Sequence, residues 1–238
     1  MHLIRVSNLD VEVHRKDIKN LHLGVYPPEG RIRVATPLSI DDEAVRLFII
    51  SKIPWIHRQQ RKFIEQSRQS ERQYVSGETH YYQGKRYLLN VIYQKGKNQV
   101  VIRNKTYIDL YVHNGSDQSA RQRVMIKWYR EQLRDLASPL VDKWKNVIGV
   151  SLESWGIRIM KTRWGTCNVE KKSIQLNLDL AMKPQQCLEY IIVHEILHLV
   201  ERHHNDKFTD LMEKYLPNWV LLRDELNALP LKHEHWDY

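Results

Sequence analysis

The segment IIVHEILHLVERHHNDKF, from Ile191 to Phe208, decides how the rest of the chain is interpreted. Apolar residues occupy almost every side of the helix that it predicts: Ile191, Ile192, Val193, Ile196, Leu197, Leu199 and Val200. A helix that is apolar all round is buried. This one nevertheless carries His194, Glu195 and His198 in the pattern H-E-x-x-H. Burying an unpaired carboxylate costs free energy unless a cation lies beside it. The three polar residues therefore indicate a bound cation.

The spacing of the two histidines is that of a metal site. Residues i and i+4 lie one turn apart on the same face of a helix, so His194 and His198 can both reach one ion. Glu195 is displaced by roughly 100° around the helix, which places it beside a water on the ion rather than among the ligands. The pattern therefore predicts a hydrolytic Zn²⁺ site, with two neutral imidazoles as ligands and Glu195 as the general base.

A hydrolytic zinc site needs a third protein ligand and an open fourth position. Glu201, His203 and His204 lie just downstream and could supply that ligand. Glu201 is close to the face of His198, but its side chain leads down the helix axis. If the helix ends near Arg202, the chain can turn back and bring His204 to the ion. His203 is then the second choice.

Composition excludes several other classes of protein. Of the 238 residues, 42% are hydrophobic and 27% are charged, as in globular proteins. There is no apolar run of about 18 residues, so no membrane span is predicted, and the polar N-terminus has no signal-peptide core. Two cysteines, Cys167 and Cys187, are too few for a disulfide scaffold and predict free thiols in the cytoplasm.

The net charge of +9 favours an anionic partner such as nucleic acid or nucleotide phosphate.

The N-terminal part of the chain predicts a small β-rich region with one helix. Alternating residues up to residue 36 predict an antiparallel β meander with a turn at PPEG, residues 27–30. A helix is expected from Ser39, and its tail from His57 to Gln73 is polar and basic. Strands return between residues 79 and 113, including a hairpin that turns at residues 83–85.

The remaining chain predicts a mainly helical catalytic half, so the fold class is α+β. A long amphipathic helix is expected from Ser119 to about Val147, and two short helices follow the H-E-x-x-H segment. Strands are expected near residues 156–164 and 173–178. The second could be an edge strand that pairs with an extended peptide, or an interior strand. We expect a soft domain boundary, with residues 1–115 as the N-terminal region and residues 116–238 as the catalytic core.

A series of motifs extends from Lys161 to Trp219 and includes the H-E-x-x-H pattern. They are Arg163 to Cys167 (RWGTC), Leu176-Asn177, Pro184, His194 to His198, His204, Phe208, and Tyr215 to Trp219. Together they resemble the YgjP-like metallopeptidase domain, a relative of the SprT-like and WLM zinc proteases; Thr166 stands where that family usually has serine. The resemblance implies a zincin-like fold, Zn²⁺ held by His194, His198 and His204, and Glu195 as general base.

These features predict a zinc-dependent peptidase that acts on a protein or peptide substrate. One alternative is a metal-dependent phosphohydrolase acting on nucleotides, which would need Lys or Arg side chains around the metal. A second is a nucleic-acid-associated protein with latent protease activity, which would bind through basic segments such as residues 57–73. Arg163 could stabilise charge on a tetrahedral intermediate or stack on Trp164.

Overall fold

The computed structural model describes residues 2–26, 30–65, 72–160 and 163–228. Contacts between residues divide the chain into two compact units, with the division between Glu71 and Arg72. The strands between residues 79 and 112 belong to the second unit, together with the H-E-x-x-H segment. The assignment of residues 1–115 and 116–238 to two domains stays a prediction.

The first unit is a four-stranded sheet followed by a helix. Its strands are β1 (His2–Val6), β2 (Leu9–Lys16), β3 (His22–Tyr26) and β4 (Arg31–Pro37), in the order β1-β2-β4-β3, and its helix is α1 (Asp42–Glu65). The predicted antiparallel meander is wrong, because β2 and β4 pair in parallel. The physical reason is burial: β2 and β4 carry the fully buried Val11, Val13 and Val34 and take the centre of the sheet. The predicted turn at PPEG lies largely outside the described residues.

The second unit begins with the same arrangement of strands. Strands β5 (Thr79–Tyr82), β6 (Lys85–Tyr93), β7 (Gln99–Ile102) and β8 (Tyr107–Val112) have the order β5-β6-β8-β7, with β6 and β8 parallel. The long helix α2 (Gln118–Ile148) follows. In both units an aspartate caps the helix, since Asp41 accepts from Ala44 N–H at 2.8 Å and Asp117 from Ala120 N–H at 2.6 Å. The chain thus repeats a topology that its sequence does not reveal.

A third sheet and three helices complete the second unit. Strands β9 (Ser154–Arg158), β10 (Gly165–Asn168) and β11 (Ser173–Asn177) have the order β10-β11-β9, and a short 3₁₀ helix (Leu178–Met182) follows. Helices α3 (Gln185–Leu197), α4 (Asp206–Tyr215) and α5 (Trp219–Ala228) end the described chain. The α+β class is therefore confirmed. The strand beginning at Ser173 is interior, and β10 and β9 are the two edge strands of this sheet.

Candidate metal centre

Residues 191–197 of the H-E-x-x-H segment lie in helix α3, which is in the core of the second unit. Nine of its thirteen residues are buried, among them Ile191, Ile192 and Val193. The helix begins after Pro184, as expected for a residue without an N–H group. It ends at Leu197, five residues before Arg202, the end considered above as one way to bring His204 to the ion. The cause is a tight turn, in which the N–H groups of residues 199 and 200 bond to carbonyls only three residues back.

This early end brings three imidazoles together. His194 lies in the last turn of α3, His198 is its C-terminal cap, and His204 lies on the turn before α4. His194 Nε2 lies 3.2 Å from His198 Nε2 and 3.0 Å from His204 Nε2. The ligand atoms of all three lie within 4.8 Å of one another. Three imidazole nitrogens at this separation form a ready set of donors for one metal ion.

Neighbouring groups orient His198 and keep His194 neutral. His198 Nδ1 lies 3.1 Å from Glu201 O. Because a carbonyl can only accept, Nδ1 carries the proton and the lone pair of Nε2 faces the other two rings. Burial, together with the two neighbouring histidines, lowers the pKa of His194 to about 3. Neutral imidazole is the form that binds a metal ion, so this electrostatic state suits metal binding.

Phe208 forms a wall behind all three rings. Its ring centroid lies 5.0 Å from that of His194, 4.7 Å from that of His198 and 4.9 Å from that of His204. Phe208 is buried in the first turn of α4, where its N–H donates to the N-cap Asn205 at 3.0 Å. The cap thus fixes the start of α4 and, with it, the apolar surface against which the imidazoles pack.

Glu195 points into the same site from α3 and is only 6% exposed. Burial raises the pKa of its carboxyl to about 7, although the positive charge of Arg163 opposes that rise. A carboxyl with a pKa near neutrality can both accept and return a proton at physiological pH. Strand β10 approaches it so closely that a Cβ on Gly165 would lie 2.6 Å from Glu195 Oε1. Only glycine leaves the carboxylate its present space.

The histidines and Glu195 open into a pocket of about 680 Å³ between α3 and β10. The residues that line it are Arg163 to Glu170, Tyr190, Ile191, His194, Glu195, His198, Arg202 and His204. Cys167 is a free thiol in its wall, and burial, together with the Glu195 carboxylate, raises the pKa of that thiol to about 11. It is therefore neutral at physiological pH and is not an activated nucleophile.

The family model described as the YgjP-like metallopeptidase domain matches residues 19–229. The chain belongs to the YgjP-like metallopeptidase family. Membership implies a metal cofactor and a peptide substrate. Among the described residues, no helix of this YgjP-like metallopeptidase is long and apolar enough to cross a membrane.

Two solved structures resemble parts of this YgjP-like metallopeptidase. The metallopeptidase zymogen of Pyrococcus abyssi abylysin is 21% identical, covers 37% of this chain and 90% of its own, and has a TM-score of 0.35. The metallopeptidase zymogen of Methanocaldococcus jannaschii jannalysin is 20% identical, covers 40% of this chain and 92% of its own, and has a TM-score of 0.33. No curated protein sequence matches the chain.

Of the three candidates for a third ligand, the structure brings His204 to His194 and His198. The Glu201 carboxylate instead lies 3.5 Å from Lys207 Nζ and accepts from His203 N–H at 3.1 Å. The side chain of His203 is outside the histidine cluster. The turn that follows α3 therefore places His204 beside the other two imidazoles and directs Glu201 and His203 away from them.

Gly165 and Phe208 contribute to the site in ways that their local sequence patterns do not specify. Gly165 is part of the RWGTC motif, and a glycine inside a strand is a signal of close backbone approach. Phe208 is a position of the family motif, and nothing in its local pattern predicts a contact with the histidines. Stacking on Trp164 is one of the two roles considered for Arg163. Among the described residues, it is Lys183 whose cation lies over that ring, with Nζ 5.3 Å from the ring centroid.

Proposed function

We propose that this YgjP-like metallopeptidase is a zinc-dependent enzyme with a zincin-like active-site helix, in which His194, His198 and His204 hold the ion. The support is the convergence of three Nε2 atoms, 3.0 and 3.2 Å from the central one, at the end of a buried helix. Three imidazoles that leave one position open are a donor set typical of catalytic zinc. The low pKa of His194 supports the same assignment, because protons compete weakly for its nitrogen.

Glu195 is the proposed general base. When bound, the zinc ion supplies Lewis-acid polarisation of the scissile carbonyl and lowers the pKa of a coordinated water. The Glu195 carboxylate then takes a proton from the attacking water and returns it to the leaving amine. Its pKa of about 7 suits both transfers, since the group is neither a strong acid nor a strong base at the working pH.

The wall of the pocket that β10 forms, across from α3, would bind the substrate. Strand β10 is an edge strand that lines the pocket, so its free edge can pair with an extended peptide. Arg163 lies beside Glu195 in the same wall, and its guanidinium would stabilise negative charge that develops on the carbonyl oxygen. Together, β10 and α3 would hold the peptide between the proposed ligands and the base.

The direct test is hydrolysis of fluorescein-labelled casein by the purified chain, before and after treatment with a chelator, and again after zinc is restored. We expect activity that is lost with the metal and recovered with zinc. The Glu195→Gln variant distinguishes the enzyme from a contaminating protease, because it should bind zinc and stay inactive. Equal casein hydrolysis by wild type and Glu195→Gln would contradict the proposal.

One observation favours a second candidate, a metal-dependent phosphohydrolase acting on nucleotides. Arg163 and Arg202 both line the pocket, and within the described ranges neither guanidinium forms an ion pair or a hydrogen bond. Such cations suit phosphate groups. Release of phosphate or pyrophosphate from nucleoside triphosphates, without casein hydrolysis and with the same dependence on Glu195, would favour this candidate over the peptidase.

Two further expectations stay predictions. A nucleic-acid partner was expected from the basic residues 57–73, of which α1 includes those up to Glu65; residues 66–71 lie outside the described chain. DNA binding that falls steeply with salt and persists without metal would support it. A cytoplasmic location was expected from the cysteine content, and Cys167 and Cys187 are free thiols.

A further inference from the structure

The connection from β9 to β10 is tied to one buried side chain, that of Asn177. Asn177 ends β11 and is 5% exposed. Its Nδ2 donates to the carbonyl oxygens of Met160 at 2.9 Å and of Arg163 at 2.8 Å. These carbonyls lie on either side of residues 161 and 162, which are outside the described chain. A single amide group therefore holds both flanks of this connection.

The same residue also anchors the elements on either side of it. Its backbone N–H donates to Trp164 O at 2.9 Å, which extends the ladder between β10 and β11 by one residue. Its Oδ1 accepts from Asp179 N–H at 3.2 Å and caps the 3₁₀ helix. The side chain thus uses two donors and an acceptor at once, a combination that an amide offers and a carboxylate does not.

Asn177 holds residues 163–165 in place, and these residues form one wall of the candidate metal centre, the β10 wall. Arg163 and Trp164 line the pocket, and the next residue, Gly165, is in close contact with Glu195. The position of this wall decides how much space the Glu195 carboxylate has and where the Arg163 guanidinium lies. A misplacement of about 1 Å in an active site can cost about 100-fold in rate. The wall is therefore a feature that catalysis requires to be fixed.

We propose that Asn177 is a positioning residue of the site, acting through Arg163, Trp164 and Gly165 without touching the reacting atoms. Its amide sets the distance between the β10 wall and α3. The consequence for turnover rests on the proposed peptidase function, whereas the consequence for the wall itself does not. The two parts can therefore be tested separately.

The test is the Asn177→Asp variant, which keeps the size of the side chain but places an oxygen opposite two carbonyl oxygens. We expect faster amide hydrogen exchange at residues 163–168, with exchange in β7 and β8 and the zinc content both as in wild type. With fluorescein-labelled casein, kcat/KM should fall by about 100-fold, and KM should rise. A general loss of folded protein would lower the apparent kcat and leave KM unchanged, so the change in KM identifies a displaced wall.

A matched control is Asn104→Asp, because Asn104 Oδ1 only accepts, from Thr106 N–H at 2.8 Å and Tyr107 N–H at 3.0 Å. Aspartate can keep both bonds, so exchange and turnover should stay as in wild type. If Asn177→Asp does not fold, Asn177→Ser removes the amide without adding charge and is measured instead.

Wild-type exchange at residues 163–168 in the Asn177 variant overturns the proposal, even if turnover falls. Exchange that is faster in β7 and β8 as well, in both Asn177 variants, also overturns it, since that result indicates a general loss of folded protein. If the wild-type protein cleaves no casein, the proposed function fails, and the exchange measurement still decides whether Asn177 holds the wall.

Discussion

Replacing Glu195 by glutamine tests both the burial of this carboxyl and its role. The pKa of the group rises from 4.5 to about 7, mainly through burial, so the folded protein holds the proton more tightly than the unfolded chain does. The stabilisation from this proton is complete below the unfolded pKa and is lost as the pH rises through the folded one. In metal-free protein, the ionised carboxylate therefore destabilises the fold above about pH 7.

The size of the effect follows from the two pKa values. Each pKa unit corresponds to about 1.4 kcal/mol, so the rise from 4.5 to about 7 corresponds to about 3 kcal/mol. Glutamine is neutral at every pH and keeps the size of the side chain. We therefore expect metal-free Glu195→Gln to be more stable than metal-free wild type by about 3 kcal/mol at pH 8, and to match it near pH 4.

The assay is urea unfolding of chelator-treated wild type and Glu195→Gln at several pH values from 4 to 8. Glu213→Gln, an exposed residue of α4, is the matched control and should change stability little at any pH. With zinc restored, Glu195→Gln should keep its metal while turnover falls by about 10²–10⁴-fold. A stability difference that does not change between pH 4 and pH 8 would refute the burial argument. Loss of zinc from Glu195→Gln would instead indicate that Glu195 is a ligand. Full activity of the variant would exclude Glu195 as the general base.

The other predictions concern the ligands and the wall. The purified protein should carry about one zinc per chain, and His194→Ala or His198→Ala should remove it; metal analysis that finds no zinc, bound or added, would contradict the site. Among the downstream candidates, His204→Ala should weaken zinc binding most in a competition titration, and a larger loss from His203→Ala would overturn that assignment. Gly165→Ala should keep zinc but lower turnover by about 100-fold, because the new Cβ would lie 2.6 Å from Glu195 Oε1; casein hydrolysis at the wild-type rate would show that the carboxylate moves without consequence.

Local rules acting on the sequence account for much of the centre. The i, i+4 spacing of His194 and His198 follows from helix geometry alone, and the buried, apolar character of α3 is visible in its composition. The helix caps and the hairpin at residues 83–84 are likewise local, since each depends on a few adjacent residues. The class of fold and the pairing of His194 with His198 on one helix face could therefore be predicted.

Tertiary structure decided the features that depend on distant segments. The parallel pairing of β2 with β4 depends on which strands bury most apolar surface, and the interior position of β11 depends on its two neighbours. The early end of α3 at Leu197 brings His204 to the other imidazoles, and Phe208 reaches them only because α4 packs against α3. The contact of Gly165 with Glu195 joins two elements separated by β11 and the 3₁₀ helix. Hydrogen bonds within a turn can be predicted from neighbouring residues, whereas packing depends on the shapes of surfaces that meet only after the chain has folded.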